Sequence, residues 1–130
     1  AIATDNARRL GADGVRFRQG DWYGAVAGER FDLIVANPPY VAAGDPHLAA
    51  GDVRFEPVTA LVSGHDGLDA VRCIADRAPD FLVPGGWLLL EHGYDQGEPC
   101  RRILGAAGLA NVATWPDLSG IGRVTGGRLD

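Results

Sequence analysis

The stretch Phe31-Asp32-Leu33-Ile34-Val35-Ala36, followed at once by Asn37-Pro38-Pro39-Tyr40, decides the expected fold of this chain. Its first part is an almost continuous apolar run without the spacing of a helix face, and it predicts a buried strand. Pro38 and Pro39 have no backbone donor and a fixed φ, so they end the strand in a stiff corner. Open α/β sheets bind ligands at the carboxyl ends of their strands, and this corner is therefore a candidate site.

The corner carries groups that suit a planar NH2 group. Asn37 has an amide that donates and accepts, the two prolines leave carbonyls that no nearby amide easily claims, and Tyr40 adds an aromatic ring. The plain alternative is an ordinary turn, because Asn-Pro dipeptides mark turns in many proteins. The position directly after a strand favours the functional interpretation.

Strand and helix patterns alternate along the rest of the chain. We expect strands at residues 15–19, 31–36, 87–91, 112–115 and 123–125, and helices at residues 1–10, from about 66 and at 96–107. Pro79 should kink or restart the second helix, and Pro84-Gly85-Gly86 should end it. Residues 41–63 read as a long loop, a length usually reserved for function. This order predicts an α/β sheet with parallel crossovers and a final antiparallel hairpin.

One face of the second helix is apolar. It is formed by Leu68, Val71, Ile74, Ala75 and Ala78. Asp66 and Asp69 stand near the start of this helix, where we expect them to cap it and to stabilise its positive end.

Composition is that of one ordinary globular domain. The chain has 130 residues, 46% of them hydrophobic, and a net charge of −5 from 12 basic and 17 acidic residues. A duplex-DNA substrate usually requires a basic surface, so we do not expect nucleic acid as a partner. No apolar run approaches the ~18 residues of a membrane span, and a cytoplasmic protein is expected. Cys73 and Cys100 are expected to be buried thiols rather than a disulfide.

The remaining titratable residues form no second site. His47, His65 and His92 lack ligand spacing, so no metal is expected. Glu91 and His92 are neighbours on a predicted strand and should point to opposite faces, which excludes a shared acid–base role.

The Asn37-Pro38-Pro39-Tyr40 string resembles the motif of S-adenosylmethionine-dependent methyltransferases that modify amide or exocyclic amino nitrogens. Other stretches separate the members of that class, and they look like the release-factor glutamine N5-methyltransferases. These stretches are residues 44–48, 51–57, 60–61, 63–69, 84–93 and 123–128. The resemblance covers nearly the whole chain, and Arg54-Phe55-Glu56-Pro57 is its most specific part.

The resemblance implies a role for each residue of the corner. The Asn37 side-chain oxygen and the Pro38 carbonyl would orient the target NH2 group, and Tyr40 would stack on it, with Pro39 completing the target site. The target would be the glutamine of the Gly-Gly-Gln motif in class 1 peptide chain release factors. An adenine amino methyltransferase of DNA or RNA is the alternative from the same class.

The resemblance also implies S-adenosylmethionine as the cofactor. Trp22 would form an aromatic wall beside its adenine, Asp21 would accept a hydrogen bond from the adenine amino group, and Asn37 would touch the cofactor as well as the target. Without the resemblance, Trp22 could equally be a large core residue. No metal is implied.

The implied fold is a Rossmann-like methyltransferase sheet from which the first two strands and the glycine-rich cofactor turn are missing. An isolated chain of this kind is expected to be inactive. Its uncovered sheet edge should be repaired by direct pairing of residues 15–19 with residues 31–36, or by a second chain in a homo-oligomer. Arg54 and Glu56 are expected to pair with each other on the surface, in a structural role.

Overall fold

The computed structural model describes residues 2–49 and 56–130. The predicted pair of Arg54 and Glu56 lies partly outside the described residues. The described part of the chain contains four α-helices and four strands, in the order α1 (Ile2–Arg9), β1 (Phe31–Ala36), α2 (Val58–Leu61), α3 (Asp69–Phe81), β2 (Leu82–Glu91), α4 (Gly97–Ala106), β3 (Ala110–Pro116) and β4 (Gly122–Arg128). Short 3-10 helices occupy Trp22–Val26 and Pro46–Ala49.

The four strands form one sheet in the order β1-β2-β4-β3. β1 and β2 are parallel, with Ile34 opposite Leu88 and Ala36 opposite Leu90. β4 is antiparallel to both of its neighbours, β2 and β3. The predicted α/β class, with a helical crossover between parallel strands and a final hairpin, is therefore confirmed.

The hydrophobic core lies between one face of the sheet and the helices α3 and α4. The predicted apolar face of α3 is buried in it, together with Leu88 and Leu90 from β2 and with Cys100 and Leu104 from α4. Ile34 and Ala36 of β1 pack against this core and are partly buried. Ile34 and Ala36, two positions apart, thus both face the helices, as the period of a strand requires.

The opposite face of the sheet is apolar and uncovered among the described residues. Leu33 and Val35 of β1 are 52% and 69% exposed. Further along this face a shallow cavity of about 570 Å³ is lined by Leu33, Trp87, Leu89 and Trp115. The prediction that β1 is buried is therefore wrong, because among residues 2–49 and 56–130 this strand has a neighbouring strand on one side only and helices on one face only.

Residues 15–19 do not form the predicted strand. Val15 and Phe17 are about half exposed, and the side chain of Arg18 instead bonds to the Ala25 carbonyl at 3.2 Å and to Glu29. These residues do not pair with β1, so the predicted direct repair of the sheet is also wrong. An alternating pattern makes a strand only where a partner backbone offers hydrogen bonds, and none of the described strands does so here.

The junction of α3 and β2 also differs from the prediction. α3 runs through Pro79 without a break and ends at Phe81. Pro84-Gly85-Gly86 lies inside β2 rather than between the two elements. Gly85 has a φ of +84°, which only glycine adopts easily. The register of the β1–β2 pairing shifts at the same place, between the pairs Phe31–Leu82 and Leu33–Trp87. Pro84-Gly85-Gly86, which was expected to end α3, instead forms a bulge within β2.

The two cysteines differ in their surroundings. Neither forms a disulfide, as predicted, but Cys73 is exposed and only Cys100 is buried. The prediction of burial is therefore wrong for Cys73, because this residue lies outside the apolar face of α3. Burial raises the pKa of the Cys100 thiol to about 11.

Within residues 2–49 and 56–130, no helix combines the length and the apolar character needed to cross a bilayer. The same residues contain no group of three or more His, Cys, Asp or Glu side chains that could hold a metal ion.

Candidate active site at the carboxyl end of β1

The predicted corner stands where β1 ends. Asn37 is exposed, Pro38 is buried, and Pro39 and Tyr40 are half-buried. Beyond Tyr40 the chain is tied to a second segment, since the Val41 amide donates to the Leu61 carbonyl at 2.8 Å. The corner is therefore held by sheet pairing before Asn37 and by backbone hydrogen bonds after Tyr40.

Two cavities meet at the corner, and Asn37 and Pro38 line both of them. The first cavity has a volume of about 380 Å³ and is bounded by Trp22, Tyr23 and Ile74 in addition to β1. The second has a volume of about 300 Å³ and includes Tyr40, His47, Leu48 and Leu61 in its walls. Both volumes are in the range of small-molecule sites. One amide group and one prolyl residue therefore separate two ligand-sized spaces.

Trp22 forms a wall of the first cavity in a strained conformation. Its φ is 47°, which is rare for a bulky side chain, and the residue is 44% exposed. Such strain costs on the order of 1–3 kcal/mol and concentrates at functional sites, where surrounding contacts enforce it. The strained turn presents the indole to the cavity instead of burying it in the core.

Tyr23 supplies the contacts that hold this turn in place. Its hydroxyl donates to the Ile74 carbonyl of α3 at 3.0 Å, and its ring stacks on Phe81 with the centroids 4.4 Å apart. Burial raises the pKa of the Tyr23 hydroxyl to about 12. The turn is therefore fastened to α3 immediately beside Trp22.

Asp21 directly precedes the same turn and is exposed. Its main-chain carbonyl accepts a hydrogen bond from the Gly24 amide at 2.9 Å, which closes the turn. Asp21 does not belong to the residues that line the first cavity. Trp22 and Asn37 therefore line the same cavity, whereas Asp21 does not.

The wall of the second cavity is fixed to the start of α3. The Ser63 amide donates to the Val41 carbonyl at 2.9 Å, and the Ala43 amide donates to the Gly64 carbonyl at 2.9 Å. The Ser63 hydroxyl, which is buried, accepts from the Ala70 amide at 2.7 Å. Ser63 therefore caps α3, a role that the sequence had given to Asp66 and Asp69.

Asp66 instead shapes the loop before α3. Its carboxylate accepts from the Leu68 amide at 3.1 Å and pairs with Arg72. The hydrogen bond from Arg72 is the main reason that the pKa of Asp66 is lowered to about 2. Asp69 stands in the first turn of α3, where a negative charge is favourable.

Asp45 and His47 are hydrogen-bonded to each other at the rim of the second cavity. The Asp45 carboxylate accepts from the His47 amide and contacts its ring Nδ1, both at 2.8 Å. The backbone hydrogen bond from His47 is the main cause that lowers the pKa of Asp45. This pair gives the mouth of the second cavity a polar edge.

His92 and Glu91, for which no shared role was expected, differ in burial. His92 is fully buried, and its Nε2 contacts the Thr125 hydroxyl at 2.8 Å. Glu91, one residue earlier on the strand, is half-buried. The alternation of strand side chains keeps the two apart.

Sequence reasoning missed three side chains that hold the site: Tyr23, Ser63 and Gln96. Gln96 is buried at the start of α4, and its Nε2 donates to the Tyr40 carbonyl at 3.0 Å. Its partner lies 56 positions away in the sequence. No local pattern marks such a contact, so only the tertiary structure reveals it.

The sequence of this chain was compared with protein-family models and with individual proteins. No protein-family model matches the chain. The release factor glutamine methyltransferase of Xylella fastidiosa strain 9a5c is 59% identical over 127 residues, which make up 98% of this chain and 46% of the relative. The enzyme of that name from Pseudomonas aeruginosa is 54% identical over 128 residues, again 98% of this chain and 46% of the relative.

A solved structure agrees with these relatives. The crystal structure of a release factor-specific protein-(glutamine-N5) methyltransferase from Alicyclobacillus acidocaldarius matches with a TM-score of 0.52 and 25% identity, over 79% of this chain and 51% of that one. The present chain spans about half of the length of the curated relatives it matches. Over 98% of its own length it is therefore homologous to the release factor glutamine methyltransferases, as its motifs predicted.

Proposed function

We propose that the full-length protein containing this chain transfers a methyl group from S-adenosylmethionine to the N5 amide nitrogen of glutamine in the Gly-Gly-Gln motif of class 1 peptide chain release factors. The observation that carries the proposal is the position of Asn37 and Pro38 between two ligand-sized cavities. A methyl transfer requires two molecules to meet at one point, and this corner is where both spaces meet. The names of the relatives supply the class of target.

The corner would hold the target nitrogen through two acceptors. The Asn37 side-chain oxygen and the Pro38 carbonyl would each accept a hydrogen bond from the NH2 group of the glutamine. Among the described residues, no donor is hydrogen-bonded to the Pro38 carbonyl. Because the prolines restrict the backbone, these acceptors are oriented before the target arrives. Orientation of this kind can supply about 7–11 kcal/mol of a reaction barrier.

The second cavity would receive the glutamine side chain. Tyr40 would pack on the planar carboxamide, and Pro39 would form the adjoining wall. The apolar surroundings from Leu48 and Leu61 suit the methylene groups of glutamine and the small glycines before it. The methylated nitrogen would then release its extra proton to water, since a general base is not required.

The first cavity would hold part of the cofactor. S-adenosylmethionine supplies an electrophilic methyl group when it is bound. Trp22 would cover its adenine and Asn37 would contact it from the corner. Asp21, which precedes Trp22 but does not line the cavity, would accept a hydrogen bond from the adenine amino group. An aromatic wall beside a polar amide fits such a heterocycle. Release factors act in translation, so we place the protein in the cytoplasm.

The proposal is tested by methyl transfer from labelled S-adenosylmethionine with the full-length protein. We expect label on a class 1 release factor, located by peptide mass spectrometry at the glutamine of Gly-Gly-Gln. A release factor with that glutamine replaced by alanine is the matched control and should remain unlabelled. Label on adenine in DNA or RNA, with none on the release factor, would establish the alternative function instead. The net charge of −5 makes that outcome unexpected.

A further inference from the structure

Gln96 is a buried polar side chain that reaches the corner from another element. It is 8% exposed and stands directly before α4, yet it makes no side-chain hydrogen bond that caps that helix. Its Oε1 accepts from the Gly93 amide at 2.8 Å, and its Nε2 donates to the Tyr40 carbonyl at 3.0 Å. The Asp66 carbonyl lies 3.5 Å from the same nitrogen.

The orientation of this amide is fixed by its partners. The Gly93 amide can only donate, so the atom that faces it must be the side-chain oxygen. The carbonyls of Tyr40 and Asp66 can only accept, so the atom that faces them must be the NH2 group. Each end of the Gln96 side chain therefore has the partner that its chemistry requires, and a flipped amide would have none.

The surrounding backbone leaves no room for a different arrangement. Gly67 has a φ of +76°, and a Cβ atom there would overlap the Tyr40 carbonyl oxygen and stand 2.8 Å from the Gln96 Nε2. A Cβ atom on Gly93 would stand 3.0 Å from the Gln96 Oε1. Three backbone segments thus close around one side chain, and the Tyr40 carbonyl lies at their meeting point.

We propose that Gln96 is a positioning residue for the methyl transfer, acting by fixing the Tyr40 end of the Asn37–Tyr40 corner. The proposal rests on the function proposed above. Pairing of Ala36 with Leu90 fixes the corner at its start, and the two prolines between limit its backbone to few conformations. Once Gln96 also fixes the end, the backbone that carries the Asn37 side chain and the Pro38 carbonyl has few conformations left to it. Gln96 itself does not line either cavity.

The variant Gln96→Glu separates this role from general packing. It keeps the shape of the side chain and the acceptor for the Gly93 amide, but it places a second oxygen against the carbonyls of Tyr40 and Asp66. When this carboxyl group is ionised, we expect kcat for the release factor to fall at least ~10-fold, because misplaced orienting groups slow the chemical step.

A pH profile adds a readout that a purely structural role would not move. Facing two carbonyl oxygens, the new carboxyl group should have a raised pKa, because hydrogen bonding there is possible only in the neutral form. As the pH falls, the protonated group donates again to a carbonyl, so the ratio of variant to wild-type kcat should rise. Gln96→Met, which has no donor at any pH, should show a low ratio that does not change with pH.

Glu98→Gln is the matched control on the same helix. Glu98 is exposed and bonds to Arg102 at 3.1 Å, away from the corner. We expect this variant to keep wild-type kcat at every pH. All assays are run on the full-length protein, well below the thermal midpoint of each variant, so that loss of folded protein does not enter the comparison.

Two results would overturn the inference. The first is a wild-type kcat for Gln96→Glu at every pH tested, including alkaline pH at which the carboxyl group is ionised; the second is a loss of kcat with the same pH dependence as in Gln96→Met. If the wild-type protein itself methylates no release factor, the proposed function fails, and amide hydrogen exchange then tests the contact alone. Exchange at residues 41 and 43 should be faster in Gln96→Glu than in Glu98→Gln, and equal rates would refute the contact.

Discussion

At the scale of single residues, the site depends on how Asn37 is held. The side chain is exposed, while Pro38 behind it is buried. A buried proline cannot rotate about φ, so the preceding amide projects from a rigid base into the space between the cavities. The role proposed for Asn37 thus depends on the rigid backbone of Pro38 as well as on the Asn37 amide itself.

Replacing Asn37 by alanine should lower turnover of the full-length protein at least ~100-fold, because a key orienting acceptor is lost. Asn6→Ala, at an exposed position of α1, is the control and should leave turnover unchanged. The measurement is steady-state methyl transfer to a release factor. Near-normal turnover of the Asn37 variant would remove this side chain from the mechanism.

The two cysteines should differ in reactivity. Cys73 is exposed, whereas burial raises the pKa of Cys100 to about 11, and only thiolates are alkylated rapidly. Iodoacetamide in mildly alkaline buffer should therefore modify Cys73 in the folded chain and spare Cys100, as read by peptide mass spectrometry. In concentrated urea both should react. Equal modification in the folded state would contradict the buried position of Cys100.

Residue-level prediction from the sequence succeeded where the physics is local. The corner could be located because proline acts on its own backbone and on the residue before it. Tyr23 and Gln96 could not be found, since their partners Ile74 and Tyr40 are 51 and 56 positions away. Ser63 could not be identified as the cap of α3 because it stands outside the usual N-cap position.

At the scale of elements, the turn Trp22–Val26 depends on α3. Tyr23 connects the two through a hydrogen bond to Ile74 and a stacked contact with Phe81. The strained backbone of Trp22 persists only while this connection holds. The first cavity therefore owes its aromatic wall to a contact between two elements.

This connection should make the chain sensitive to alkaline pH. The pKa of Tyr23 is raised from 10.0 to about 12 on folding, so its contribution to stability is complete below about pH 10 and is lost as the pH rises toward 12. Tyr23→Phe should cost about 1 kcal/mol at neutral pH, through the lost hydrogen bond. It should also lose less stability than wild type between pH 9 and 12.

Urea unfolding of the wild-type and Tyr23→Phe chains at a series of pH values measures this difference. Cys100 also titrates at high pH, but it is common to both chains and cancels in the comparison. Parallel stability curves for the two chains would show that the Tyr23 hydroxyl is not buried as described.

Elements were predictable where apolar periodicity coincided with burial. The apolar face of α3 was predicted correctly, since helix spacing and core contact follow the same pattern. Residues 15–19 have a strand pattern but no partner strand among the described residues, and they adopt no regular structure. The bulge at Gly85 was missed because a Pro-Gly-Gly sequence is typical of chain breaks as well as of irregular strands.

At the scale of the whole molecule, the sheet is covered on one face and open on the other in the described residues. Leu33 and Val35 are exposed on β1, and Trp115 is 41% exposed on β3. An open strand edge beside apolar surface favours association with another chain. The fold class itself was predictable, because alternating strands and helices admit few arrangements.

We expect the 130-residue chain to self-associate in solution. Val35→Lys, on the open face of β1, should shift the population toward monomer, because a charge there opposes pairing and burial. Val58→Lys is the control, since Val58 is similarly exposed (64% against 69%) but lies on α2. Sedimentation equilibrium over a concentration series gives the mass of each chain. A wild-type chain that stays monomeric throughout would contradict this expectation.

The shared boundary of the two cavities has a thermodynamic consequence. Asn37 and Pro38 belong to the walls of both cavities. A molecule that binds in one cavity and changes the conformation of these residues therefore also changes the binding surface of the other cavity. Linkage requires this influence to be mutual: whatever factor one occupant contributes to the affinity of its neighbour, it receives in return. In this fold, two reactants brought together by a single peptide corner would not bind independently.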